Sequence, residues 1–152
     1  MFDILVYVYE HCQQSELREN ADDVARRLTE AGFDGDDVSA ALAWIAGVAR
    51  APMHQGVPLA GRNPVYRVYA AREAAKLDAE CRGLLLRLER CGVVDADARE
   101  RILERVVAAP LDVLTTDQLK LVVLIVLWQA SPRDGRPFAA DVLFGQRQRP
   151  AN

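Results

Sequence analysis

The feature that most constrains this chain is a run of eight consecutive apolar residues, 121–128, near its C-terminal end. Spanning a bilayer takes about 20 apolar residues, so this run is too short to cross a membrane. A segment that is apolar on every side must instead be covered by other elements. Thr115 and Gln118 have the spacing of a helix capping box, and Asp117 adds a favourable charge in the first turn. Although the β-branched residues of the run favour a strand, we predict a central buried helix.

Length and composition predict a protein with its own core and no general attraction to polyanions. The chain has 152 residues, enough for one domain or two small ones, and 51% of them are hydrophobic. The net charge is −3, which excludes a general pull toward nucleic acid or an anionic membrane. The charge is uneven, because residues 1–56 hold 4 Lys and Arg against 10 Asp and Glu, a net −6, whereas residues 57–92 hold 7 against 4, a net +3.

Cysteine usage and the N-terminus both predict a soluble, cytoplasmic protein. Cys12, Cys81 and Cys91 form no CxxC pair and leave an odd thiol, which is typical of a reducing compartment. The N-terminus carries Asp3 and Glu10 and lacks a basic flank with a cleavage site, so it does not have the pattern of a signal peptide.

The first part of the chain has the element order of a helix-turn-helix. Residues 2–12 predict a largely buried helix, since apolar residues occupy nearly every position and no turn signal interrupts them. Residues 13–19 are polar and predict a loop. A second helix then begins after Asn20, a good N-cap, and ends at Gly32, which has the position of a C′ glycine. Asp36 predicts the cap of a third helix, and a tight glycine turn between two helices is typical of a helix-turn-helix.

A short β-hairpin is expected after these three helices. Residues 65–69, Val-Tyr-Arg-Val-Tyr, are rich in strand-forming side chains, and residues 57–60 are placed to pair with them across a turn. Three helices followed by a hairpin is the order of a winged helix. We therefore predict a helix-turn-helix or winged-helix-like subdomain over residues 1–70.

The remaining chain predicts a helical subdomain over residues 71–145 and a flexible tail over 146–152. Residues 72–91 form the clearest helical pattern, with one continuous stripe of Leu and Cys. Gly83 lies inside this helix and costs about 1 kcal/mol relative to Ala, so we expect another backbone to approach it closely. Asp95 predicts the cap of the next helix. The fold class predicted is mainly α: a winged-helix-like half with three helices and a hairpin, packed with a helical half around the buried apolar helix.

Several segments resemble the bacterial Smg family, in family order and spacing, from residue 1 to about residue 145. They include MFDILVYVYE at 1–10, LTEAGF at 28–33, ALAW at 41–44, LDAECRGLL at 77–85 and RERILERV at 99–106. The resemblance implies a small cytosolic bacterial protein of uncharacterised function. It supplies no catalytic residue, ligand or partner to transfer to this chain.

No pattern in the sequence predicts a catalytic, cofactor or metal site. His11 and Cys12 are adjacent and would point about 100° apart on a helix, and His54 is isolated in a loop. Cys81 and Cys91 lie ten residues apart on different helix faces, so they do not converge as metal ligands would. The serines lack a nucleophile motif, and no glycine-rich phosphate loop is present. We therefore expect a protein that is not an enzyme and holds no cofactor or metal.

Two function hypotheses remain, and both use arginines. The first is a non-catalytic macromolecular interaction module with an unknown protein partner, and the second is a winged-helix protein that binds nucleic acid. The third helix argues against the second, because it begins with two aspartates and has no Lys or Arg before Arg50. Nucleic acid would then use arginines of the hairpin and of the tail, Arg133, Arg136, Arg147 and Arg149.

The candidate interaction surface combines positive charge with aromatic area. Arg82 has two interpretations, a partner-binding arginine or an i, i+4 partner of Asp78. The sequence leaves the oligomeric state open. The candidate residues are Arg62, Arg67, Tyr69, Arg72 and Arg82.

Overall fold

The computed structural model describes residues 1–50 and 69–130, with side chains described through residue 48 in the first range. Within these ranges the chain forms eight α-helices. They are α1 (Phe2–His11), α2 (Gln14–Glu19), α3 (Ala21–Glu30), α4 (Gly35–Arg50), α5 (Ala71–Lys76), α6 (Ala79–Arg90), α7 (Ala96–Ala108) and α8 (Thr116–Ala130).

The central apolar helix is confirmed as α8, and its predicted capping box is present. Gln118 N–H donates to the Thr115 hydroxyl (3.2 Å), while Thr115 N–H donates to the Gln118 side-chain oxygen (2.9 Å). Eight residues of the helix are buried. Because α8 packs against α1, α4, α6 and α7, it is covered on several sides, as an all-apolar helix requires. No helix in the described ranges combines the length and hydrophobicity of a membrane span.

The predicted fold class is wrong in its β-hairpin. The described residues contain eight helices and no strand, so this part of the chain is all-α. Of the residues assigned to the hairpin, 57–68 lie outside the described residues. Tyr69 is described, belongs to no strand, and packs half-buried against the helical core just before α5. Its strand-forming character is overridden by this packing, since β-propensity depends strongly on context.

Three helix boundaries also differ from the prediction. Residues 14–19, expected to be a loop, form the short helix α2, where Gln13 N–H donates to Glu16 (2.7 Å). Asp34 caps α4 instead of Asp36, because its carboxylate accepts hydrogen bonds from the Asp36 and Asp37 amides (2.9 and 3.3 Å). The single helix predicted over 72–91 is divided into α5 and α6.

The glycine turn between α3 and α4 is confirmed. Gly32 has φ +102°, a left-handed conformation that favours glycine. Gly32 N–H donates to Thr29 O (3.0 Å) and Phe33 N–H donates to Leu28 O (3.2 Å), which closes the end of α3. Phe33 then packs edge-on against Tyr7 of α1, with ring centroids 5.8 Å apart.

Buried side chains from α1, α3, α4, α6, α7 and α8 belong to one hydrophobic core cluster. Helices from both predicted subdomains therefore contribute to the same core. The subdomain boundary at residue 70 stays a prediction, and the tail at 146–152 lies outside the described residues.

Polar contacts join the helices at their edges. Lys76, at the end of α5, donates from Nζ to the carbonyls of Val107 (2.9 Å) and Ala109 (2.6 Å), and its own carbonyl accepts from Leu114 N–H (2.9 Å). A cation at the C-terminal end of α7 stabilises carbonyls that have no partner within the helix. Lys76 thus joins α5, the end of α7 and the segment that leads into α8.

Trp44 of α4 and Arg105 of α7 are held by reciprocal hydrogen bonds. Trp44 Nε1 donates to the Arg105 carbonyl (3.0 Å), and Arg105 Nη1 donates to the Trp44 carbonyl (3.1 Å). The guanidinium lies over the indole, 5.9 Å from the ring centroid. Gly47 leaves the space for it, since a Cβ at this position would lie 2.8 Å from Arg105 Cζ.

This arrangement predicts strong coupling between Gly47→Ala and Arg105→Ala. In the Arg105→Ala background, Gly47→Ala should stabilise the protein by up to about 1 kcal/mol, the usual gain from replacing a helical glycine. In the wild-type background the new methyl group displaces the guanidinium, so the gain should disappear or reverse. Urea unfolding of the four proteins measures the difference, and additive free energies of unfolding would contradict the contact.

Candidate interaction surface

Helix α6 is anchored by an apolar inner face and a capped N-terminus. Its inner residues, Cys81, Leu84, Leu85 and Leu88, are all buried. Asp78 is the N-cap, and its carboxylate accepts from Cys81 N–H at 2.8 Å. This cap explains why the chain divides α5 from α6, since an N-cap has an extended backbone and ends any preceding helix.

Hydrogen bonding at this cap shifts two pKa values. The pKa of Asp78 is lowered, chiefly by the hydrogen bond from the Cys81 amide and also by that from the Cys81 thiol. Burial, with the Asp78 carboxylate as a further cause, raises the pKa of the Cys81 thiol to about 11. The Cys81 sulfur also lies 3.5 Å from the Leu114 carbonyl. Cys81 is therefore a neutral core thiol, and it lacks the thiolate character of a reactive cysteine.

The outer side of α6 carries three arginines around an exposed leucine. Arg82, Leu86 and Arg90 follow at i, i+4 and i+8 and so form one line along the helix. Gly83 and Arg87 lie beside this line, and all five residues are exposed. Leu86 is 36% exposed, one of the few large hydrophobic side chains of the described ranges that face solvent. We call these five residues the α6 face.

The two glutamates within α6 do not form ion pairs with the arginines of the α6 face. The two glutamates of α6 interact with neighbouring helices: Glu89 binds Arg99 of α7 (3.1 Å), and Glu80 accepts from the Thr116 hydroxyl of α8 (3.4 Å). Arg82 Nε donates to the Asp78 main-chain carbonyl at 3.4 Å, and the charge of Arg82 is a minor cause of the lowered pKa of Asp78. Among the described residues, none of the three arginines of the α6 face forms an ion pair.

Gly83 does not have the role that the sequence predicted for it. A Cβ built at Gly83 meets nothing within 4 Å, so no other backbone of the described chain approaches it. The prediction of a close internal contact is wrong, because Gly83 lies on the outer side of α6 and faces away from the core. The free energy cost of a glycine inside a helix therefore has no compensation in the described packing.

The residues singled out in the sequence are separated in the structure. Arg62 and Arg67 lie outside the described residues, as do the four tail arginines. Tyr69 packs against the core, Arg72 is exposed in the first turn of α5, and Arg82 belongs to the α6 face. Sequence reasoning missed Leu86, Arg87 and Arg90, although their spacing opposite the leucine stripe is visible in the sequence.

Elsewhere in the described ranges, no group of three or more His, Cys, Asp or Glu residues could hold a metal ion. His11 stacks on Tyr7 with ring centroids 4.4 Å apart, and its Nδ1 lies 3.1 Å from the Tyr7 carbonyl. Cys12 is buried beside Arg27, whose guanidinium lies 3.8 Å from the sulfur and 3.2 Å from Glu16. These contacts join α1, α2 and α3. The expectation of no metal, no cofactor and no catalysis stays a prediction.

Comparison with known proteins gives consistent matches. The chain matches the sequence model of a family described as "Protein of unknown function (DUF494)" over residues 1–151. It is 41% identical over 129 residues to a Protein Smg homolog from Azoarcus sp. (strain BH72), covering 85% of this chain and 83% of that protein. It is 39% identical over 132 residues to Protein Smg from Pectobacterium carotovorum subsp. carotovorum, covering 84% of each. No solved structure matches the chain.

Because no described atom lies within 4 Å of a Cβ built at Gly83, we predict that Gly83→Ala stabilises the free protein. The expected gain is about 0.5–1 kcal/mol in the free energy of unfolding, from the lower backbone entropy of the unfolded chain and the better helix propensity of alanine. Urea unfolding measures it, with an unchanged dependence on urea as the control for an unchanged fold. A loss of stability would show that the site is crowded.

The lowered pKa of Asp78 predicts that ionisation of this carboxyl adds stability to the helix cap. Its folded pKa lies below the unfolded value of 3.8, so the contribution is complete above that value and is lost as pH falls through the folded pKa. Asp78→Asn keeps a capping oxygen but removes the charge. The variant should lose less stability than wild type between about pH 5 and pH 2. Urea unfolding midpoints measured across this pH range test the prediction, and Asp112→Asn, at an exposed position, is the matched control. Equal acid sensitivity of Asp78→Asn and wild type would contradict the stabilising role of the Asp78 charge.

Proposed function

Since the chain belongs to the Smg family, whose function is uncharacterised, we propose that it is a non-catalytic cytoplasmic protein that binds another protein through the α6 face. The observation that carries this proposal is the set of three arginines around exposed Leu86, without ion pairs to described residues. An apolar centre bordered by polar groups is typical of a protein interface, and arginine is enriched in its energetically important positions.

The titratable groups of the described ranges support a structural role for most of the scaffold. Asp78 and Asp95 cap helices, Lys76 binds the carbonyls at the end of α7, and Arg105 binds the α4 backbone. Cys81 is buried with a raised pKa. Each of these groups binds backbone atoms or is buried in the core. We therefore look for the function on the exposed surface.

Nucleic acid is the second candidate, because unpaired arginines also bind phosphates. Two features favour a protein partner. The exposed start of α4 presents Asp36 and Asp37, where a helix-turn-helix reader needs positive charge. The α6 face has a leucine at its centre and no aromatic side chain on which a base could stack.

Site-specific photo-crosslinking in the bacterium that makes this protein tests the proposal. A photoreactive amino acid replaces Leu86 in one strain and Ala43, an exposed residue of α4, in another. We expect a discrete protein adduct from position 86 that is absent from position 43. Adding Arg87→Glu should reduce the adduct, whereas Arg18→Glu, the same charge change at an exposed residue of α2, should leave it unchanged.

The opposite results are equally defined. Adducts of equal yield from positions 86 and 43, or none from position 86, would remove the basis for an α6 interface. An adduct that disappears on nuclease treatment would show that nucleic acid occupies the face and would favour the second candidate.

A further inference from the structure

We infer that the α6 face receives an acidic amphipathic α-helix of the partner protein, packed directly over Gly83. This inference rests on the proposed function and names the chemistry of the partner. Three properties of the face lead to it: three arginines without ion pairs to described residues, an apolar centre, and a glycine whose outer side meets no described atom within 4 Å.

The charge determines the sign of the partner. Arg82, Arg87 and Arg90 lie within a little more than two helical turns, about 12 Å along the axis. Glu89 pairs with Arg99 and Glu80 accepts from the Thr116 hydroxyl, and neither glutamate forms an ion pair with these arginines in the described ranges. Carboxylates on a partner would complete the charge-assisted hydrogen bonds that the guanidinium groups lack.

The line formed by Arg82, Leu86 and Arg90 determines the shape of the partner. Leucine lies at the middle of the line, and the aliphatic stems of both arginines flank it at i±4. A complementary surface therefore needs an apolar stripe with carboxylates on both sides. An amphipathic helix with acidic flanks presents this pattern. A strand would gain no backbone pairing here, because the outer side of a helix has no free hydrogen-bonding edge.

Gly83 determines how close the partner can come. It is one turn before Leu86 and Arg87, and a Cβ there would meet no atom of the described ranges within 4 Å. Helices pack with their axes about 8–10 Å apart, and the distance depends on the side chains at the contact. A glycine at the crossing point lets a second backbone come close enough for Leu86 and the arginines to reach it together. The stability that the free protein loses through Gly83 is then offset by closer helix packing in the complex.

The test uses full-length protein and a fluorescein-labelled synthetic peptide of about 18 residues, long enough to form a helix. Its leucines follow at i, i+3, i+4 and i+7 with glutamates on both sides. The control peptide has the same composition in a shuffled order that breaks the stripe. Fluorescence anisotropy should show at least about tenfold tighter binding of the amphipathic peptide, since charge alone does not distinguish the two.

Substitutions in the α6 face should weaken this binding while the protein stays folded. We expect losses of at least about fivefold for Leu86→Ala, Arg87→Glu and Gly83→Ala, with no loss for Arg18→Glu. Gly83→Ala is the most informative variant, because it should stabilise the free protein and weaken the complex. A purely structural role for Gly83 would change both in the same direction or leave binding unchanged.

Four results would overturn the inference. They are absence of saturable binding, equal binding of the shuffled peptide, tighter binding of a single-stranded oligonucleotide, and self-association of the protein that Arg87→Glu abolishes, which would make a second copy the occupant. If the peptide fails while position 86 still crosslinks a protein in cells, the proposed function stands and only the acidic helix is wrong. If position 86 crosslinks nothing as well, both are wrong.

Discussion

The structure depends on the need to cover α8 from every direction. An ordinary surface helix buries one side, but α8 has buried residues all round, including Ile125 and Trp128. The helices α1, α4, α6 and α7 must each direct an apolar face toward it, and each is then left with one solvent side. Covering one helix therefore determines which face of every neighbour remains available for contact with another molecule.

Because α8 must be covered by apolar side chains, polar and charged side chains lie at the edges of the fold. In the described ranges no polar or charged residue is fully buried. Lys76 binds carbonyls at the end of α7, Asp78 caps α6, and Arg105 and Trp44 join α4 to α7 across their backbones. These contacts satisfy backbone groups that would otherwise lack partners. They stabilise the arrangement of the helices and leave the outer surface as the part of the described chain that can contact another molecule.

Short sequence patterns predicted most of the helices. They did not predict the contacts between residues far apart in the chain. The capping box at Thr115 and the turn at Gly32 are confirmed because each depends on a few neighbouring residues. Asp78 was interpreted from the sequence only as an i, i+4 partner of Arg82. In the structure it also caps a new helix, a role that depends on the break after α5. The α6 face was only partly predicted, because the sequence places Glu80 and Glu89 on the same helix as its arginines and does not show which groups they contact. Only the fold shows that these glutamates turn to Thr116 and Arg99.

Three features of the α6 face each lower the stability of the isolated protein slightly, and all three lie on the same side of the helix. Gly83 weakens the helix, Leu86 leaves apolar surface in water, and Arg87 and Arg90 repel each other at i, i+3. On the opposite side of α6, every residue type agrees with the core. Sequences that are consistent elsewhere and break local rules at one place do so most often where function requires it. Because the inner face of the same helix is held against α7 and α8, α6 can carry this unfavourable surface without losing its structure.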